Sequence, residues 1–69
     1  MTPKQMRIMA AYFEASEKLA DATDAMIKAH DARRAGLMGN CDQFEEVAKI
    51  RLALYRKARA EYEGLWHKD

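Results

Sequence analysis

Sixty-nine residues with twelve basic and eleven acidic side chains, three glycines, one proline and one cysteine make a single short domain of net charge +1. That balance removes the global field that draws in nucleic acid or anionic lipid, and a lone cysteine excludes an internal disulfide or a cysteine-paired zinc site. A core in a chain this short rarely supplies more than about 3–5 kcal/mol without a staple or a partner, so the composition points to a homodimer.

The chain opens on a helix start. Thr2 caps, Pro3 takes the first helical position, where its missing N–H costs nothing, and Gln5 completes a capping box. No breaker follows until Gly36, and Arg33 and Arg34 suit the negative end of the helix dipole. The first helix is therefore expected over residues 3–35. Within it Ile8, Tyr12, Ala15, Leu19, Ala22, Met26 and Ala29 fall on one three-four spacing. Alanine (Ala15, Ala22, Ala29) and large residues (Tyr12, Leu19, Met26) alternate, as a seam against a second helix requires. Met6, Met9, Phe13, Ala20 and Ile27 form a second apolar line beside it.

Residues 36–41 read as the one loop, with Gly36 as a left-handed cap and Asn40 or Asp42 opening a second helix over 42–66. There Phe44, Val47, Ala48, Leu54, Tyr55, Ala58, Tyr62, Leu65 and Trp66 share one broad face. The fold class expected is all-α: an antiparallel two-helix hairpin in one domain, residues 1–69, dimerising into a four-helix bundle because both helices carry surplus apolar face. A turn near residue 38 sets Tyr62 opposite Ala15, Tyr55 opposite Ala22 and Trp66 opposite Ala11, with large residues against small. Helix 1 is expected to be longer by about eight residues. The dimer interface is assigned to Met6, Met9, Phe13, Ile27, Arg51 and Tyr62. Arg51 stands out as a charge amid the apolar face of helix 2, expected either to snorkel outward or to meet a carboxylate across the dimer.

Glu14, Glu17, Asp21, Asp24 and Asp31 repeat at three-four spacing and are expected as a ridge opposite the seam. Its bland reading is solvated surface; its functional reading is a contact strip for a basic partner such as a DNA-binding regulator. Trp66 with Arg59 has the composition of an interaction anchor. The partner-binding set is thus Glu17, Asp21, Asp24, Arg59 and Trp66. No catalytic residue, metal or cofactor is expected: His30 and His67 lack relay partners at a telling spacing, Cys41 lacks a histidine, and no glycine-rich phosphate loop exists. No apolar run is long enough to span a bilayer and no export signal is legible, so a cytoplasmic location is expected.

The alanine-seamed hairpin resembles the plasmid-encoded Rop-type RNA-binding proteins in layout, yet the acids on helix 1 oppose RNA binding there. Length, hairpin pattern and acidic ridge also look like small phage-encoded host-takeover inhibitors of the anti-quorum-sensing type. That resemblance implies a homodimer that sequesters a host transcription activator, an anti-activator without catalysis. The alternatives are a small nucleic-acid-binding dimer using Lys49, Arg56, Lys57 and Arg59, or a structural subunit of a larger helical complex.

Overall fold

The computed structural model describes residues 2–67 and contains two helices, α1 (Pro3–Arg34) and α2 (Met38–His67), packed along each other as an antiparallel hairpin 51 Å long. The remaining residues of the domain expected over 1–69 lie outside the described part. Thr2 Oγ1 accepts from the Gln5 amide at 3.2 Å, and the Thr2 amide donates to Gln5 Oε1 at 2.9 Å, forming the expected capping box with Pro3 behind it. No described helix is long and apolar enough to cross a membrane.

The turn is tighter than its composition suggests. Gly36 takes φ +77°, the Leu37 amide donates to the Ala32 carbonyl at 2.9 Å, and the Gly36 amide donates to Arg33 at 3.1 Å. This is a Schellman motif. It reverses the chain in three residues, so α2 begins at Met38 and takes in Gly39, Asn40 and Cys41. The loop expected over 36–41 is therefore corrected to 35–37, and the capping spacing of Asp42 and Glu45 lies unused inside a helix. With α1 at 32 residues and α2 at 30, the expected eight-residue excess of α1 reduces to two. The Tyr62 ring lies 5.7 Å from Tyr12, and both line a furrow with Ala15, the residue expected opposite Tyr62.

A methyl at Gly36 meets no atom within 4 Å, so its penalty is purely conformational. Gly36→Ala is expected to cost about 1 kcal/mol for the left-handed backbone, read as a lower denaturant midpoint with an unchanged slope.

The core consists of Ala15, Ala22, Ala25, Ala29 and Ala32 from α1 with Cys41, Ala48 and Ala58 from α2. Those α1 residues are spaced seven, three, four and three, with both heptad seam positions small from Ala22 onward, and Ala11 and Lys18, half-buried, continue the second line toward the helix start. The bulk comes from α2, whose half-buried Phe44 packs against Ala29 and Ala32 while Tyr55 and Tyr62 line a furrow with Ala15; Leu65 is half-buried too. Tyr12, Leu19 and Met26, expected to interlock within the seam, lie beside it at 53%, 41% and 40% exposure. Small residues at both positions let the helix axes approach closely, which leaves the large α1 side chains outside.

Candidate interaction surface

The rotation of the seam places the acids differently from expectation. With Ala25 and Ala32 facing α2, the ridge runs along one edge of the hairpin groove rather than opposite it. Arg51 Nη1 donates to the Asp21 carbonyl at 3.1 Å and stands 3.9 Å from the Asp24 carboxylate, which also pairs with Lys28 at 3.1 Å. Asp31 and Lys28 border a hollow completed by Leu37, Asn40 and Phe44, and Glu14 borders another with Leu54, Lys57 and Glu61. The structure thus gives Arg51 a partner within its own chain: it snorkels across the hairpin to helix 1. The carboxylates of Glu17, Asp21 and Asp31 have no ion-pair partner among the described residues.

On the other edge, Tyr12, Ser16 and Leu19 of α1 line a furrow with Tyr55, Arg59 and Tyr62 of α2, and Met26 and His30 line its continuation with Ala48, Lys49 and Leu52. Near the open end of the hairpin the rings stack in series. Phe13 lies 6.0 Å edge-on to Tyr12, Tyr12 lies 5.7 Å from Tyr62, and Tyr62 lies 6.3 Å from Trp66 at 90°. Trp66, Phe13 and Met6 remain more than half exposed there, at 58%, 57% and 59%. Met9 and Ile27 are exposed as well. Of the residues assigned to partner binding, Trp66 and Arg59 therefore lie on the aromatic edge, whereas Asp21 and Asp24 lie on the opposite one.

Arg59 Nε donates to Glu63 at 2.9 Å, and that bond, with Tyr55 nearby, raises the guanidinium's pKa above its ordinary value. Lys49 pairs with Glu46 at 3.4 Å. Two of the four cations considered for nucleic acid are thus satisfied along their own helix.

Sequence reasoning missed one cluster at the turn. Arg33 pairs with Glu45, and Cys41 Sγ lies 3.4 Å from the same carboxylate. The Cys41 sulfur first, then Glu45, raise the Arg33 pKa above its ordinary value. Cys41, Asp42 and Glu45 offer three ligand atoms within 4.8 Å of one another, though Glu45 already holds Arg33. The i, i+4 spacing of Cys41 and Glu45 was the only trace of this in the sequence. Among the described residues, no hydrogen bond links His30 or His67 to a hydroxyl, thiol or carboxylate. The chain matches no protein-family model, no curated protein and no solved structure.

Proposed function

We propose that the chain is a non-catalytic interaction module, acting as a homodimer with four helices, that binds and blocks a larger basic protein. A DNA-binding transcriptional regulator is the class its acids fit. The observation that carries this reading is the inversion of the usual burial pattern: the hairpin encloses alanines and one cysteine, while twelve large apolar side chains of the described residues, Trp66 among them, remain exposed. Apolar surface on this scale marks sites where other proteins dock. Glu17 and Asp31, without ion pairs among the described residues, and the partly paired Asp24 supply a negative strip on the opposite edge of the hairpin, which steers a basic partner.

The test is binding of a synthetic Lys- and Arg-bearing amphipathic helical peptide, followed through the fluorescence of the single tryptophan. Saturable binding that weakens with salt supports the reading; absence of binding by the folded chain overturns it. Reversing Glu17 and Asp31 to lysine, which breaks no ion pair of Arg51 or Lys28, is expected to leave helicity unchanged and to weaken capture on the order of tenfold at low salt. Reversing Asp24 is a poorer choice, because it would crowd a third cation against Arg51 and Lys28. A nucleic-acid binder would respond oppositely, tightening as acids become lysines.

A further inference from the structure

Helix α1 carries a second row that α2 borders along the furrow but leaves exposed. Met9, Tyr12, Ser16, Leu19, Thr23, Met26 and His30 alternate three and four residues apart through the helix, and all seven are exposed. None carries a formal charge with histidine neutral. Thr23 spends its hydroxyl on its own helix, donating to the Leu19 carbonyl at 2.8 Å, so its methyl is left for packing. This row lies about a quarter turn around the helix from the alanine seam, at 100° per residue. That is the angle at which a helix in a four-helix bundle meets its second neighbour.

The corresponding row on α2 is different in kind. Asp42, Glu45, Lys49, Leu52, Arg56, Arg59 and Glu63 are charged at all positions but one. A partner that buries the uncharged row of α1 is therefore met by α1 of that partner rather than by α2.

The open area is enough for a second copy. The chain exposes 5418 Å². A folded monomer of its mass, 7.9 kDa, exposes roughly 4,400 Å². The surplus of roughly 1,000 Å² equals one partner's share of a small obligate homodimer interface.

We propose that this row is the homodimer interface, with α1 of one copy antiparallel to α1 of the other about a two-fold axis at Leu19. In that arrangement Leu19 meets Leu19, Tyr12 meets Met26, Ser16 meets Thr23 and Met9 meets His30 of the second copy. Tyr12 then packs on the softer Met26 rather than on a second Tyr12, and the helix dipoles oppose. An in-register parallel pair would instead set Tyr12 on Tyr12 and Ser16 on Ser16, alternating overfilled with underfilled layers. The edge bearing Glu17, Asp24 and Arg51 stays open. The pairing rests on the reading of the chain as an open helical module and specifies which face closes first.

Sedimentation of the full chain across micromolar concentrations tests it. The expected result is a dimer that Leu19→Lys shifts toward monomer by about 100-fold or more in dissociation constant, since two lysines meet at the axis. Leu54→Lys, on the other edge of the hairpin, is expected to leave the dimer intact. Orientation is read by oxidising a mixture of the Ser16→Cys and Thr23→Cys chains. Bridged 16–23 heterodimers support the antiparallel pair, while 16–16 and 23–23 homodimers overturn it; Cys41 is fully buried and does not compete. A monomer throughout, or a dimer indifferent to Leu19→Lys but lost on Leu54→Lys, overturns the interface. A monomer that still binds the basic peptide overturns the pairing and the homodimer but leaves the partner binding, and a dimer that ignores the peptide overturns the partner binding alone.

Discussion

Leucine at Ala22 or Ala25 is expected to break the hairpin more severely than any substitution elsewhere in the chain. These two side chains are 0% and 1% exposed, and both lie where the helix axes approach on alanine alone. A leucine adds three heavy atoms to a space closed by the residues of α2. The helices must part along several turns or the new side chain must leave its rotamer well. Overpacking of this kind costs about 1–3 kcal/mol, set against the few kcal/mol that a chain of this size has in total. At about 4–8 °C per kcal/mol for a small domain, the loss is expected as a fall of roughly 10 °C or more in the helical melting curve. Leu19→Ala in the same helix removes a side chain that the hairpin leaves 41% exposed, and is expected to lower the melting point of the isolated hairpin far less. An Ala25→Leu chain that melts with the parent would overturn the close-approach geometry.

That comparison also shows where the sequence was legible. Ala15, Ala22 and Ala29 mark the seam correctly, and the aromatics of α2 do close over alanines of α1. The sequence left open which neighbouring row completes the seam. Tyr12, Leu19 and Met26 keep the heptad period as faithfully as Ala25 and Ala32 do, and period alone does not separate two rows on either side of a shared one. The choice is made by distance: bulk supplied by α2 requires small residues at both α1 positions. Turning the seam onto Ala25 and Ala32 carries the acids to the groove edge, where Arg51 reaches Asp21 and Asp24. The turn was misread for a related reason. Asn40 and Asp42 look like helix caps, yet Gly36 with the Ala32 carbonyl already satisfies the reversal. The interaction surface was legible only as residue types. Its division into an acidic edge and an aromatic edge depends on a rotation that no single helix reveals.

Trp66→Ala is expected to have the largest effect on partner lifetime. Trp66 lies edge-on to Tyr62, which leans on Tyr12, so one side of the indole is braced while 58% of the residue stays open. A braced aromatic loses little rotamer freedom when a partner covers it, which is why such residues dominate interface energies. Exposed Met6, at the same open end of the hairpin, adds flexible apolar contact that adapts to an irregular surface. Removing the indole is expected to cost on the order of 2 kcal/mol, or about 30-fold, and to appear almost wholly as faster dissociation. The charge reversals at Glu17 and Asp31 should show the complementary pattern: slower association, strongest at low salt, with little change in lifetime. Surface plasmon resonance of the labelled basic peptide separates the two rates and does not depend on the tryptophan that has been removed. Equal dissociation rates for the parent and Trp66→Ala chains would move the anchor away from the aromatic end and leave the acidic edge as the only contact.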